Sequence, residues 1–336
     1  MAVIFICYYR QNIYKYIEKL IDSLPIKAYT IFEVKKVKYL SVSDFAKKWN
    51  LSERTIRNYC AKSKIEGVFQ TGKTWNIPEN AKRPERRNKK NKGHKNLLNI
   101  LKEEKVGKIS GGIYHKIQIE FTYNTNHIEG SQLTHDQTRY IYETNTIGLE
   151  NESINVDDII ETVNHFRCID FIIEKATHTL SEKFIKELHR MLKSGTSDSR
   201  KDWFHVGDYK KLPNEVGGRE TTLPEHVGKE MKKLLEDYHK SSQKTFYDLV
   251  EFHVKFEKIH PFQDGNGRVG RLLLFKECLK YNLVPCIIDE RLKLYYYRGL
   301  QEWDKEQGYL MDTCLTAQDR FWAYLDYFRI PYERED

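Results

Sequence analysis

The residues of this chain that are best suited to chemistry lie together in the segment His260-Pro-Phe-Gln-Asp-Gly-Asn-Gly-Arg-Val-Gly-Arg271. His260 can accept a proton near neutral pH without a large pKa shift. Asp264 carries hard carboxylate oxygens, which suit Mg²⁺, the cation that normally accompanies nucleotide phosphates. The segment therefore combines a general base with a metal ligand.

The same segment is suited to binding phosphate. Gly265 and Gly267 allow positive φ or close backbone approach, so that successive N–H groups face an anion. Arg268 and Arg271 are three residues apart, and on a helix that begins here they share a face from which both reach phosphate oxygens. The helix also directs the positive end of its dipole to this point. The residues alone thus indicate an anion site with a metal ligand and a base.

The segment resembles the signature of the Fic (Fido) family, His-Pro-Phe-x-Asp/Glu-Gly-Asn-Gly-Arg-x-x-Arg, at every fixed position. The resemblance implies a protein adenylyltransferase that uses ATP and Mg²⁺ and transfers AMP to a Ser, Thr or Tyr hydroxyl of a target protein or of itself. It implies that His260 is the base and that Asp264 holds the metal. It assigns the nucleotide to Gly265, Asn266, Gly267, Arg268, Arg271 and, at the adenine, Tyr297. The run Tyr295–Tyr297 equally suits an aromatic core.

A second constellation lies upstream, in Thr125-Asn-His-Ile-Glu129-Gly130. Thr125 and Glu129 are four residues apart and are therefore neighbours on one helix face, while Gly130 suits a helix end. The segment resembles the inhibitory motif of the same family, Ser/Thr-x-x-x-Glu-Gly/Asn, whose glutamate pairs with the second arginine of the signature, here Arg271. The resemblance implies an inhibitory helix at about 113–130, because an arginine occupied by a carboxylate cannot hold the γ-phosphate of ATP.

The segment from Gly207 to Pro224 is rich in Gly, Pro, Asn and Thr and interrupts a helical pattern. It resembles the β-hairpin flap of the family, which lies over the site and holds the target segment as an added strand. Val216 and Thr221 are the flap positions expected nearest the chemistry. Taken by itself, the segment is also consistent with a plain loop.

From about Leu97 onward, the spacing of apolar residues predicts helices. Leu272–Leu279 is apolar nearly all round, as expected for a helix at the centre of a domain. We therefore predict a mainly α fold, in which residues 96–336 form a Fic-type helical bundle with a β-hairpin flap. Further helices are predicted around 156–177, 225–241, 290–306 and 309–329.

Residues 39–84 are predicted to form a small winged helix-turn-helix domain. Apolar residues from Val42 to Trp49 repeat at helical spacing, and Ser52 suits the N-cap of a second helix. The following residues alternate around Gly72, as a hairpin would. The segment resembles excisionase/MerR-type modules, which implies DNA contacts from the outward residues of the second helix, namely Arg54, Thr55, Arg57 and Asn58. A helical pair that makes protein contacts only is the alternative.

Basic residues are concentrated in the N-terminal part of the chain. Residues 35–108 contain 21 basic and 7 acidic side chains, whereas the 336 residues together carry a net charge of +8. This asymmetry favours DNA as a partner of residues 39–95, which include a basic linker at 85–95. Residues 1–38 are an extension to which the sequence assigns no role.

Six cysteines are scattered along the chain without a C-x-x-C pair, which fits a reducing cytoplasm better than a zinc site or a disulfide framework. No apolar run approaches the length of a membrane span, and the apolar start lacks the features of a signal peptide. We therefore expect a cytoplasmic protein without a membrane partner. Assembly into a homo-oligomer is left open.

The leading hypothesis is an autoinhibited protein adenylyltransferase joined to a DNA-binding module. One alternative is an enzyme that removes AMP from a modified target, with Glu129 positioning a water molecule. A second alternative is a transcriptional regulator whose Fic core senses a nucleotide or dimerises. The intact His260 argues against the second alternative, because a core that only binds needs no base.

Overall fold

The computed structural model describes residues 38–72, 74–84, 96–148 and 153–330. Within these ranges the chain forms twelve α-helices and two small sheets, which confirms the prediction of a mainly α fold. From Leu40 onward the described residues belong to one compact unit. The predicted linker at 85–95 and nearly all of the N-terminal extension lie outside the described residues. Among the helices described, none combines the length and apolar composition needed to span a bilayer.

The N-terminal part contains two helices and a three-stranded sheet. Ser41 caps the first helix in a reciprocal capping box with Asp44, and Ser52 caps the second through a bond from the Thr55 N–H. A hydrophobic cluster of its own, which includes Phe45, Ile56 and Ile77, fills the space between these elements. The elements are α1 (Val42–Trp49), α2 (Glu53–Ala61), β1 (Tyr39–Leu40), β2 (Phe69–Thr71) and β3 (Thr74–Pro78), with the sheet in the order β1-β3-β2 and β2 antiparallel to β3.

The larger part of the chain is a helical bundle interrupted by one hairpin. Gly217 and Gly218, both with positive φ (57° and 75°), form the tight turn of that hairpin, which lies within the predicted flap segment. The strands are β4 (Glu215–Val216) and β5 (Arg219–Glu220). The helices are α3 (Leu97–Gly107), α4 (Ile113–Ile128), α5 (His135–Thr144), α6 (Val156–Lys175), α7 (Glu182–Lys193), α8 (Pro224–His239), α9 (Phe246–Ile259), α10 (Asn266–Tyr281), α11 (Glu290–Gln301) and α12 (Gly308–Tyr327).

Helix α10 lies at the centre of this bundle. Every residue from Arg268 to Leu279 is buried, which agrees with the all-round apolar pattern of its sequence. The helix packs against α9, α6 and α7, and Phe275 and Leu272 are among its fully buried side chains. Burying side chains of this size stabilises the fold by about 1.5–3 kcal/mol each. Because α10 is fixed on all sides, the residues at its first turn have defined positions.

The start of α2 contacts the beginning of α12. The hydroxyl groups of Ser52 and Thr55 both donate to the carboxylate of Asp312, and the Asn50 side chain donates to Gln307 Oε1 at 2.9 Å. Thr55 is consequently buried, so the prediction that it lies on the outward face of α2 is wrong. The other predicted DNA-contacting residues of this helix are exposed, as expected: Arg54, Arg57 and Asn58.

Candidate active site

The candidate base, His260, ends helix α9. It adopts a left-handed backbone conformation (φ 51°, ψ 62°), which is uncommon for a residue other than glycine. Its Nδ1 lies 3.3 Å from the backbone carbonyl oxygen of Glu257. Because a carbonyl oxygen can only accept, Nδ1 carries the proton and Nε2 is an acceptor. Burial, together with the nearby Lys210 ammonium, lowers the pKa of His260 to about 4, so the ring is a neutral base at pH 7.

The loop after His260 is closed by hydrogen bonds of its own. The Phe262 N–H donates to Asn266 Oδ1, and Asn266 Nδ2 donates to the Phe262 carbonyl, both at 2.8 Å. Gly265 has a left-handed conformation (φ 80°) and precedes α10 without a side chain that could cap it. The first N–H groups of α10 are therefore available to an anion. The side chain of Asn266, predicted to contact the nucleotide, fixes the loop, and what it offers an anion is its backbone N–H.

Arg271 and Glu129, which the sequence predicted to pair, are in direct contact. Arg271 Nη2 donates to Glu129 Oε1 at 2.5 Å and to the backbone carbonyl of Thr125 at 3.1 Å. Thr125 thus contributes through its main chain. Burial disfavours the Arg271 cation, but the Glu129 carboxylate more than offsets this and raises the pKa of Arg271. The absence of a side chain at Gly267 lets Glu129 approach Arg271, because a Cβ at this position would lie 2.3 Å from Glu129 Oε1.

Arg268 and Asp264 contact two residues that the sequence analysis missed, Glu161 on α6 and Lys193 on α7. Arg268 donates to Glu161 and, at 3.1 Å, to Asp264 Oδ2. The Lys193 ammonium lies 2.5 Å from Glu161 Oε1 and 2.6 Å from Asp264 Oδ2. Although burial acts in the opposite direction, Arg268 and Lys193 hold the pKa of the Asp264 carboxyl well below its usual range. Asp264 is therefore an anion at any physiological pH.

A second residue of α7, His189, also supports the loop and was missed. Its Nδ1 accepts from the Gly207 N–H at 2.9 Å, and its Nε2 donates to the Asp264 carbonyl at 3.1 Å. The ring stacks on Phe262 with 3.9 Å between centroids. His189 and Lys193 follow Ile185 at intervals of four residues, so all three share one face of α7. Polar residues on a helix face that is otherwise apolar were the signal in the sequence that could have indicated these two side chains.

Asp264 is the side chain available for a metal. Its Oδ2 accepts hydrogen bonds from both Lys193 and Arg268, while 47% of the side-chain surface is exposed. Across the described residues, no three His, Cys, Asp or Glu side chains are grouped as a complete metal site. Mg²⁺ commonly binds one or two carboxylates and takes its other ligands from phosphates and water. The residues present therefore fit Mg²⁺ that arrives with a nucleotide.

The base of the flap is joined to the loop that follows His260. The Lys210 N–H donates to the Pro261 carbonyl at 2.9 Å, and its ammonium donates to Asn214 Oδ1 at 2.6 Å and to Thr221 Oγ1 at 2.5 Å. Burial lowers the pKa of Lys210 to about 8. Thr221 thus lies at the flap base, whereas Val216 is 44% exposed on β4. An exposed strand edge of this kind suits the addition of another strand.

Tyr297 lies next to the end of the predicted inhibitory helix. Its hydroxyl donates to the Ile128 carbonyl at 3.3 Å, and the residue is exposed, at 39% of its surface. Burial and the Glu129 carboxylate raise the pKa of Tyr297 to about 12. Its neighbour Tyr296 is fully buried and hydrogen-bonds His253 at 2.7 Å. Of the aromatic run, Tyr296 therefore belongs to the core, while Tyr297 lies beside the Arg271–Glu129 pair.

Residues 179–277 match the Fic/DOC family. Among curated relatives, the protein adenylyltransferase fic-1 of Caenorhabditis elegans is 30% identical over 190 residues, which cover 54% of this chain and 35% of that protein. The protein adenylyltransferase Fic of Drosophila ananassae is 29% identical over 188 residues, covering 53% and 35%. The chain thus spans about a third of the length of these relatives.

Two solved structures share the fold. A Fic domain containing signaling protein from Bacteroides thetaiotaomicron is 26% identical, with a TM-score of 0.52 over 68% of this chain and 90% of that chain. A Fic-1 fragment from C. elegans has a TM-score of 0.54 over 69% of this chain and 71% of its own, at 20% identity. The part of the chain that matches the Fic/DOC family, residues 179–277, contains the flap and the segment from His260 to Arg271.

Proposed function

We propose that this protein is a protein adenylyltransferase that is inhibited in cis by Glu129. It transfers AMP from ATP to a Ser, Thr or Tyr hydroxyl of a target protein or of itself. The observation that carries the proposal is the contact of Arg271 with Glu129 at 2.5 Å, in the helix that follows the loop of the neutral His260. The family match and the names of the relatives support the reaction class.

The nucleotide phosphates bind at the N-terminus of α10. The N–H groups that follow Gly265 face the α- and β-phosphates, and Arg268 neutralises part of their charge. Arg271 binds the γ-phosphate once Glu129 has left it. Mg²⁺, with Asp264 as its protein ligand, supplies further neutralisation of the phosphate oxygens. Tyr297 lies at the adenine end of the site.

The target segment adds to the flap as a strand beside Val216, while Thr221 and Lys210 hold the flap base against the loop. His260 Nε2 removes the proton from the target hydroxyl. The hydroxyl oxygen then forms a bond to the α-phosphorus. The bond from the α-phosphorus to the bridging oxygen breaks, and pyrophosphate leaves with that electron pair. Most of the acceleration comes from positioning and charge neutralisation.

Inhibition follows from competition for one guanidinium. While Arg271 Nη2 donates to Glu129 and to the Thr125 carbonyl, both hydrogens of that nitrogen are engaged and neither can be donated to a γ-phosphate. The carboxylate also repels that phosphate, because both are anions. ATP then binds without its α-phosphate in line with the incoming hydroxyl. Displacement of the end of α4 is the step that activates the enzyme.

The test uses ATP labelled either in the α- or in the γ-phosphate. The Glu129→Gly variant should become labelled from the α-phosphate and not from the γ-phosphate. The Glu129→Gly/His260→Ala variant should show no label, because it lacks the base. Absence of α-label in Glu129→Gly with both Mg²⁺ and Mn²⁺ would contradict the proposal. Loss of label on later addition of the wild-type protein would instead support hydrolytic removal of AMP.

We also propose that residues 39–84 are a DNA-binding domain, joined by a linker at 85–95 to a Fic domain at 96–336. The exposed side chains of Arg54, Arg57 and Asn58 on α2 and the basic charge of residues 35–108 support this. Binding of the protein to its own promoter DNA should weaken as salt increases and should be lost in Arg54→Ala/Arg57→Ala. Binding that is unaffected by the double substitution would argue against α2 as the recognition helix.

We infer a cytoplasmic protein from the chemistry of the cysteines. The described ones, Cys60, Cys168, Cys278, Cys286 and Cys314, are all buried free thiols. Free thiols persist in a reducing compartment. Quantification of reduced thiols in protein purified from its host would test this inference.

A further inference from the structure

The ammonium group of Lys193 lies among carboxylates, one of which belongs to Asp264, the predicted metal ligand. Only 3% of its side chain is exposed. It lies 2.5 Å from Glu161, 2.6 Å from Asp264 and 3.5 Å from Asp198. An ammonium surrounded by three carboxylates occupies the kind of position that a divalent cation takes in other sites.

The rest of this cluster fixes Lys193 in that position. Glu161 lies on α6, its side chain is mostly buried, and its second oxygen accepts from Arg268. The stem of Lys193 packs against the loop, since a Cβ on Gly265 would lie 3.6 Å from its Cδ. Glu161 therefore fixes both Lys193 and Arg268, and the ammonium of Lys193 is held in contact with Asp264.

We propose that Lys193 is the resident cation of the nucleotide site and competes with the divalent metal for Asp264. This inference rests on the proposed function, because it concerns the metal that accompanies ATP. While Lys193 and Arg268 neutralise Asp264, a metal ion gains little from that carboxylate and is repelled by both cations. The metal therefore binds well only together with the nucleotide phosphates. Glu161 acts as a positioning residue for Lys193.

The geometry predicts what removal of Lys193 does. In Lys193→Met, the carboxylates of Glu161 and Asp264 lose the ammonium that lies between them, and of the two cations only Arg268 still donates to both. Ammonium contacts of 2.5 and 2.6 Å exceed a typical Mg²⁺–oxygen distance of about 2.1 Å, so each carboxylate needs to move by roughly 0.5 Å to share a metal. The variant should therefore bind a divalent cation in the absence of a nucleotide.

The test is a titration of the full chain with Mn²⁺ alone, in which free Mn²⁺ is followed by electron paramagnetic resonance. Lys193→Met should bind Mn²⁺ at least roughly tenfold more tightly than the wild type, because a unit positive charge is removed beside the metal. Lys193→Gln is measured in parallel, so that poor folding of one variant leaves the other to decide. Lys193→Arg keeps the charge and should behave as the wild type.

Two further variants separate this role from a structural one. Lys193→Met/Glu161→Gln should lose the gain, because one of the two carboxylates is gone. Lys276→Met is the matched control, since Lys276 is another buried lysine paired with a carboxylate, that of Glu277. It should lower stability without changing Mn²⁺ affinity. Wild-type Mn²⁺ affinity in folded Lys193→Met, or an equal gain in Lys276→Met, would overturn the proposal.

The titration contains no ATP, and its result is therefore independent of AMP transfer. If Lys193→Met gains affinity while no variant transfers AMP, the inference stands and the proposed function fails. If transfer is observed but Mn²⁺ affinity is unchanged, the proposed function stands and Lys193 only joins α6 and α7 to the loop.

Discussion

Replacing Glu129 with Gln keeps the shape of the side chain and removes the charge that faces Arg271. The guanidinium is 4% exposed and would retain the Thr125 carbonyl as its neutral acceptor. Removing one partner of a buried ion pair destabilises a protein by about 3–5 kcal/mol. Glu129 is 28% exposed and Gln still offers an oxygen, so we expect about 2 kcal/mol here. At roughly 2 °C per kcal/mol for a chain of this size, the Tm should fall by about 4 °C.

The assay is thermal unfolding with and without ATP and Mg²⁺. Without nucleotide, the variant should unfold at the lower temperature. With ATP its Tm should rise more than that of the wild type, because the γ-phosphate supplies the anion that Arg271 has lost. Asp304→Asn is the control, since Asp304 forms an exposed ion pair with Lys258 and its loss should change little. An unchanged Tm without ATP, or equal ATP-induced shifts in both proteins, would show that Glu129 and the γ-phosphate do not share Arg271.

Further predictions concern acidity, packing and DNA. The pKa of His260 is about 4, so kcat/KM of Glu129→Gly should stay level from pH 7 to 5 and fall only below that; a fall centred near pH 6.5 would indicate an ordinary imidazole. Burial lowers the pKa values of His165, His189 and His253 to about 3, whereas a histidine of the unfolded chain has a pKa of about 6.5. Below pH 6.5 the unfolded state therefore binds more protons than the folded state. Urea unfolding should show stability falling with acid by about 1.4 kcal/mol per histidine per pH unit between pH 5.5 and 4. Gly299→Ala places a Cβ 2.6 Å from Leu310 Cα and should cost about 2 kcal/mol, whereas Gly228→Ala, with open space around it, should not destabilise. Asp312→Asn should raise the affinity for DNA, measured by fluorescence anisotropy, because it weakens the hydrogen bonds from Ser52 and Thr55 that hold α12 against the start of α2. Unchanged affinity would show that DNA binding does not require these hydrogen bonds to break.

The chemistry-bearing residues were predictable because they are contiguous. His260, Asp264 and Arg271 lie within twelve residues, so their types and spacing carry the signal without knowledge of the fold. The central position of α10 was likewise predictable, because a helix that is apolar on all sides can only be buried. The pairing of Glu129 with Arg271 came from the resemblance to the inhibitory motif, and the geometry agrees with it.

The residues that were missed act across long separations in the chain. Glu161 precedes Arg268 by more than a hundred positions, and nothing in the spacing of its neighbours distinguishes it from a solvated glutamate. The pattern of α2 taken alone predicts an outward Thr55, whereas α12 covers that side of the helix. Asn266 has a side chain suited both to an anion and to a tight loop, and only the fold decides between them.

Inhibition by Glu129 requires that its carboxylate occupy the arginine that binds the γ-phosphate. This requirement is tested most directly by the affinities of ADP and of a non-hydrolysable ATP analogue, measured by calorimetry with Mg²⁺ for the wild type and for Glu129→Gly. We expect nearly equal affinities in the wild type and at least a roughly tenfold preference for the ATP analogue in the variant, because the γ-phosphate gains a charge-assisted contact. The same preference in both proteins would contradict it.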